Sequence, residues 1–228
     1  MLEWLPENIS TYGHKIDDIL VMIYKIVGVW FIAVQALLFY FLIKYRRSSG
    51  AKASHIAGNS FKSLLWIGLP VILVLGFDIA IDLAQAPAWQ EIKIDRPEKP
   101  DQTVRVVAQQ FAWDFVYPGK DGALDTEDDV VSSGELLVPV GKKILVQLES
   151  KDVIHSFWVP NLRLKQDIVP GRRIMGWFQA VKTGTYEIAC AELCGVAHGN
   201  MRSLLVVSEE AEYETKLSAL PTLSSLGM

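Results

Sequence analysis

Cysteine and histidine are scarce in this chain of 228 residues, with two of the first and four of the second. So few cysteines exclude a scaffold built on disulfides, which needs several pairs. The C-x-x-C-H attachment run is missing, so no haem c is fused to the chain. A basic surplus is also missing: 22 basic residues face 26 acidic ones, a net charge of −4, which argues against nucleic acid as a partner. Internal repeats and low-complexity tracts are absent. Finally, charge is missing from Ile26 to Ile43 (IVGVWFIAVQALLFYFLI), and Leu64 to Phe77 (LLWIGLPVILVLGF) is also uncharged before continuing to Leu83 through Asp78 and Asp82.

A membrane helix needs about 20 mostly apolar residues. The first run meets that length between Lys25 and Lys44, and the second meets it with Asp78 and Asp82 near an interface. The alternative for the second is the buried helix of a soluble protein. A cleaved signal is disfavoured, because the first run begins too late and is too long for an h-region. Between the runs lies KYRRSSGAKASHIAGNSFK, with five basic residues and no acid, whereas Glu3, Glu7, Asp17 and Asp18 precede the first run. Basic short loops stay in the cytoplasm. Both termini therefore face outward, and everything beyond about residue 86 is exported.

From Gln90 the texture changes. TVRVVAQQFAWDFVY, GELLVPV, KKILVQLES, HSFWV, IMGWFQAV, GTYEIAC and SLLVVS are short and rich in β-branched and aromatic residues, and turns such as YPGKDG separate them. This spacing predicts an all-β sandwich or barrel of about 120 residues. The terminal EEAEYETKLSAL reads as a solvated amphipathic tail.

Both cysteines fall in CAELCGVAHGNM, between two predicted strands, with His198 and Met201 close behind. A disulfide is the ordinary state of two cysteines in an exported domain. A structural zinc site would want four closed ligands, and thioether is a poor zinc donor. Burial of Met201 and His198 in the core is a third alternative. Thiolate, imidazole and a weak methionine on a β scaffold suit copper best. Two thiolates are one too many for a mononuclear blue site but can bridge two ions, each then needing its own histidine. His14 precedes the first span and His55 lies on the inner side, which leaves His155, in KDVIHSFWVP, as the partner of His198.

His155 followed by the C-x-E-x-C-x3-H-x2-M run of Cys190, Glu192, Cys194, His198 and Met201 resembles the dinuclear copper A site of cytochrome c oxidase subunit II. DVIHSFWVP, LKQDIVPGR and the W-x3-P of Trp66 to Pro70 match that family as well. The resemblance implies an α+β membrane protein: a two-helix transmembrane hairpin followed by an all-β cupredoxin-like sandwich. The expected divisions are an outward segment (1–18), spans at 19–45 and 61–85 around a cytoplasmic loop (46–60), an exported copper A domain (86–210) and a C-terminal tail (211–228). The family places its copper domain on the outer side of the bacterial inner membrane.

By the same resemblance, Cys190 and Cys194 bridge two copper ions, His155 and His198 cap one each, Met201 is a weak ligand, and Glu192 binds through its backbone carbonyl. The Glu192 carboxylate then serves magnesium or manganese at the boundary with subunit I. Electrons come from a cytochrome c and pass to the haems of subunit I, where oxygen is reduced to water with proton translocation. The expected partners are subunit I, the other oxidase subunits, the cytochrome c donor and the lipid bilayer.

Two departures from the family stand out. Its aromatic run corresponds to Gln110 to Pro118, where the usual first tryptophan is Phe111 and a tryptophan remains at Trp113. Phe111 and Trp113 are the candidates for electron input, with packing as the alternative for both, and Phe111 points to a donor that is membrane-tethered or complex-bound. The second helix carries Ser63, beside Lys62, where many relatives have a glutamate at a proton path. That entrance is then supplied by another subunit or absent. Among the exported acids, Asp114, Glu149 and Asp152 are candidates for docking a basic donor, and the loop GKDGALDTEDD has the look of a calcium site without a trusted ligand spacing. Competing functions are a tethered copper carrier, a quinol oxidase subunit lacking the copper ligands, and a nitrous or nitric oxide reductase copper domain.

Overall fold

The computed structural model describes residues 5–47, 50, 52, 55 and 57–226. Glu3 and several residues of the basic loop between the apolar runs lie outside the described residues. The chain forms two compact units, one of residues 15–89 and one combining residues 1–14 with 90–228.

The first unit is a helical hairpin of α1 (Gly13–Lys44) and α2 (Phe61–Trp89). Ser60 caps α2 by accepting the Ser63 N–H at 3.3 Å, and the Ser63 hydroxyl lies 2.9 Å from that of Ser60. Trp30 meets Phe77 edge to face, with ring centroids 6.2 Å apart, and Ile19 and Met22 share a hollow with Ala84 and Pro87, so the helices run antiparallel. Both are long and apolar enough to cross a membrane. Their leucine, valine and phenylalanine side chains point outward, as at Val29, Phe31, Leu42, Leu64 and Ile72. Water would penalise that surface, but hydrocarbon favours it because helices satisfy their backbone groups internally. At the end of α1, Lys44 lies over the Tyr40 ring, 4.9 Å from its centroid, the basic and aromatic finish of a span. Pro87 offers no N–H to the last turn of α2, and the helix widens into a π turn over Gln90–Ile94, closed by Asp95 N–H to Gln90 O at 2.7 Å.

The second unit is a sandwich of two five-stranded sheets. One has the order β3-β2-β1-β5-β8 and the other β4-β10-β9-β6-β7. The strands are β1 (Gln102–Gln109), β2 (Ala112–Tyr117), β3 (Val130–Ser133), β4 (Glu135–Pro139), β5 (Lys143–Ser150), β6 (His155–Val159), β7 (Leu164–Ile168), β8 (Ile174–Gln179), β9 (Gly184–Cys190) and β10 (Arg202–Ser208). Alternation builds the core. Val104 and Val106 of β1 lie opposite Val146 and Leu148 of β5 in a parallel pair, and all four are fully buried.

Described residues near both ends are built into this sandwich. Residues 5–12, part of the segment expected to face outward (1–18), form a strap along the sandwich. Val181 N–H donates to Ile9 O at 2.8 Å, Ile9 N–H to Asn161 O at 2.9 Å, and Ser10 bridges Ala180. Ile9 and Tyr12 are fully buried, and the Tyr12 hydroxyl donates to Trp177 O at 3.1 Å. The C-terminal stretch expected to be a solvated amphipathic tail is mostly exposed but turns one side chain inward. In α3 (Glu210–Ser218) Tyr213 is buried, and past the helix Val131 N–H donates to Pro221 O at 3.0 Å and Leu223 N–H to Asp129 O at 2.8 Å. In both places one or two apolar side chains in a polar stretch find the sandwich surface.

Candidate metal centre

Strand register brings the scarce residues together. His155 opens β6 and Cys190 closes β9, with Phe157 of β6 opposite Cys190. Beyond Cys190 the chain loops out and returns through a short turn at His198–Asn200 to Met201. The loop is closed at its base by Cys190 N–H to Met201 O at 3.1 Å and anchored to β6 by Ala191 N–H to Ser156 O at 3.0 Å. A rigid two-strand base of this kind holds ligands better than a free loop.

The donors form a line. His155 Nδ1 lies 3.8 Å from Cys190 Sγ, the two sulfurs are 3.8 Å apart, and Cys194 Sγ lies 3.6 Å from His198 Nδ1. Met201 Sδ is 3.7 Å from Cys194 Sγ, and the Glu192 carbonyl oxygen is 3.2 Å from Cys190 Sγ. His155, Cys190, Cys194 and Met201 are buried, whereas the Glu192 side chain is exposed. Both cysteines are free thiols, which sets the disulfide alternative aside. Bonds of roughly 2.0 Å to imidazole nitrogen and 2.3 Å to thiolate, at a tetrahedral angle, set two donors of one ion about 3.5 Å apart. The observed separations have that scale, with one histidine beside each thiol. Burial pushes the Cys194 thiol up to about 11, reinforced by its hydrogen bond to Cys190. A cation must displace protons to enter.

Asp152, Trp113 and Gln110 support this line. Asp152 Oδ1 lies 2.8 Å from His155 Nε2 and accepts the Val153 N–H at 2.7 Å, while Oδ2 accepts the Gln110 N–H at 2.6 Å. With Nδ1 turned to the thiol, Nε2 carries the proton and donates it to Asp152, the familiar orienting partner of a metal-bound imidazole. Burial alone would raise the Asp152 pKa, but the hydrogen bonds from His155, Gln110 and Val153 overcome it and hold it at about 2. Trp113 is only 2% exposed, donates Nε1–H to Met201 O at 3.4 Å, and stands edge-on to His155 and Phe157. Of the two aromatics expected at the electron input, only Phe111 keeps a partly exposed surface. Gln110 was not singled out by the sequence, yet its side-chain amide donates to the Cys194 carbonyl. The spacing Asp152-x-x-His155 was the available signal for the first of these contacts, and nothing local signalled the Gln110 contact.

Gly195 fits the same packing. Its φ is +142°, and a Cβ there would lie 2.8 Å from the Gln110 amide and 3.0 Å from the Phe111 ring. Asp114 accepts from Ser133 Oγ at 2.6 Å, and Glu149 pairs with Arg173. In the acidic loop, Thr126 Oγ1 donates to Asp128 at 2.8 Å and Arg105 approaches Asp129 at 3.7 Å.

Comparison with known proteins bears on this geometry. The alternative cytochrome c oxidase subunit 2 of Bradyrhizobium diazoefficiens is 32% identical, over 98% of this chain and 86% of the relative. The chain belongs to the cytochrome c oxidase subunit II family. Residues 117–209 match the family described as cytochrome c oxidase subunit II, periplasmic domain. Cytochrome c oxidase subunit 2 of Thermostichus vulcanus is also 32% identical, over 92% of this chain and 76% of the relative. Among solved structures, the periplasmic domain of subunit II of cytochrome oxidase from Bradyrhizobium japonicum aligns with a TM-score of 0.47 at 32% identity, covering 53% of this chain and 93% of that one. By the two relatives and the family match, the chain is a subunit of cytochrome c oxidase. Its two apolar helices precede a cupredoxin-like sandwich on the outer side of the membrane. Its buried His155, Cys190 and Cys194, with ligand atoms within 4.8 Å of one another, fit copper.

Proposed function

We propose that the His155–Cys190–Cys194–His198 line holds two copper ions and is the point at which electrons from a cytochrome c enter the oxidase. The observation that carries this is the alternation of donors: one imidazole beside each of two thiols at 3.6–3.8 Å, with Met201 sulfur and the Glu192 carbonyl alongside. When bound, copper supplies a one-electron store shared over two ions. The chain supplies the rest. Cys190 and Cys194 would hold the copper as thiolates once their protons are lost, and His155 and His198 would be its imidazole ligands through Nδ1, the nitrogens that face the two thiols. Asp152 holds His155 in that orientation. Trp113 and Phe157 wall the site on the core side and exclude water, while Phe111 covers Gly195 on the outer side. On this reading the electrons would be handed on to the haems of subunit I, whose chemistry reduces oxygen to water with proton translocation.

The exposed Glu192 carboxylate is assigned to magnesium or manganese at the boundary with subunit I. The setting is a bacterial inner membrane, with the sandwich in the periplasm. Glu192→Gln separates the two assignments. The carbonyl is unchanged, so copper stays and the second metal weakens; loss of copper with retention of the second metal reverses them. Copper and haem content of the purified complex tests the function itself, since a carrier would arrive without haem and release its copper to a mild chelator.

A further inference from the structure

The helical hairpin holds a hollow that the electron-input function does not use. It has a volume of about 290 Å³ and lies between Lys15, Asp18, Ile19 and Met22 of α1 and Ala84 and Pro87 of α2. Its origin is side-chain size. Deeper in the hairpin Trp30 reaches Phe77 edge to face, whereas here α2 offers only alanine and proline, too short to fill the gap.

The register of the hairpin fixes the depth of the hollow. Trp30 and Phe77 are level, so Lys25 and Asp82, five positions outward of each, are level too. They end the uncharged runs and mark the outer edge of the hydrocarbon. Met22 and Ile19 lie about 4.5 Å and about 9 Å beyond that edge at 1.5 Å per residue. The headgroup layer is about 5–8 Å deep on each side, half the difference between the whole bilayer and its hydrocarbon core. The hollow therefore sits among headgroups rather than acyl chains. Its two charged residues have opposite signs, and their spacing sets them side by side on one face of α1. Among the described residues, the exposed Asp18 carboxylate has no hydrogen bond or ion pair.

We propose that this hollow is a site for one outer-leaflet phosphatidylethanolamine. Lys15 holds the phosphate oxygens and Asp18 accepts from the primary ammonium. The glycerol lies over Ile19, Met22 and Pro87, and the acyl chains run down the outward apolar side chains of the two spans. Charge complementarity selects this headgroup. Phosphatidylglycerol brings a phosphate to Lys15 but only hydroxyls to Asp18. Phosphatidylcholine brings a cation without an N–H, so Asp18 gains no charge-assisted hydrogen bond. The proposal does not depend on the copper assignment.

The test places the intact oxidase complex in nanodiscs of equal phosphatidylethanolamine and phosphatidylglycerol. After detergent washing, the retained lipids are identified and counted by native mass spectrometry. The readout is the difference between the unaltered complex and each variant. Ala84→Trp fills the hollow at a depth where tryptophan is at home, and retention of one phosphatidylethanolamine should fall about tenfold. Asp18→Asn, a surface change that guards against misfolding, should lower the ratio of retained phosphatidylethanolamine to phosphatidylglycerol about threefold. Lys15→Gln should lower retention of both by about the same factor. Copper content should stay the same in all three variants, which separates this site from the electron-input function. Unchanged lipid retention in Ala84→Trp would overturn the proposal. So would a retained lipid that is phosphatidylglycerol, or a headgroup ratio that ignores Asp18→Asn.

Discussion

The two units of this chain use the same residues in opposite directions. In α1 and α2, valine, leucine, isoleucine and phenylalanine face outward and almost nothing apolar is buried. In the sandwich, the same residue types face inward, as at Val104, Val106, Ile144, Val146 and Leu148. The difference lies in the solvent each unit expects. A lipid-facing helix satisfies its backbone alone and needs no core, so it tolerates exchange of one apolar residue for another. The sandwich depends on close packing and cannot.

The sharpest way to probe this contrast is a buried charge in each unit. Val146→Asp places a carboxylate at a fully buried position of β5 with no partner. Its cost should reach about 5 kcal/mol or more, comparable to the whole stability of a domain, and thermal melting of the complex should show the sandwich lost. Val74→Asp in the middle of α2 should instead lower membrane insertion by about 2.5–3.5 kcal/mol, read by a glycosylation or protease-protection assay, with the sandwich melting as before. If both variants lost the sandwich equally, the two units would not be energetically separate.

The strap comes next in size. Tyr12→Ala should destabilise the sandwich by about 3 kcal/mol, since it empties a fully buried aromatic site. Tyr12→Phe removes only the hydrogen bond to Trp177 O and should cost about 1 kcal/mol. A residue that merely led into a membrane span would show neither loss in a denaturant titration.

Smaller and more local is Gly195→Ala. Its positive φ and the crowding by Gln110 and Phe111 set a cost of about 1–3 kcal/mol. Because Cys194 and His198 flank it, the loss should show as faster release of copper to a chelator rather than as a lower melting temperature. Smallest at neutral pH is the effect of the buried phenols. Burial pushes Tyr213 up to about 12, and raises Tyr12 and Tyr117 further in the same direction. In the unfolded chain tyrosine ionises near 10. Below that pH both states hold the proton and nothing is lost. Above it the unfolded chain releases protons that the folded one retains, so stability falls as pH rises. Denaturant midpoints at pH 8 and above pH 10 check this, and Tyr12→Phe should blunt the drop.

How legible these features were depended on sequence distance. The two spans could be read because each is one continuous run. Five of the six candidate donors fall between Cys190 and Met201, and the sixth was proposed because only His155 remained in the exported domain. What escaped depends on contacts between distant segments. Ile9 and Tyr12 look like stray apolar residues in PENISTYGH until β8 is beside them. Asp152 looked like a surface acid suited to docking, and only the turn into β6 brings it to His155. Trp113 and Phe111 are two positions apart, so strand alternation should face them the same way, yet the β1–β2 turn leaves Phe111 outside and Trp113 in the core.

The most direct test is the metal content and electron paramagnetic resonance spectrum of the oxidised complex after selective reduction or subtraction of the haem signals. Two copper atoms in this subunit, with one unpaired electron shared equally between them, is the result the account predicts. One copper with a localised mononuclear spectrum, or zinc in its place, would contradict it.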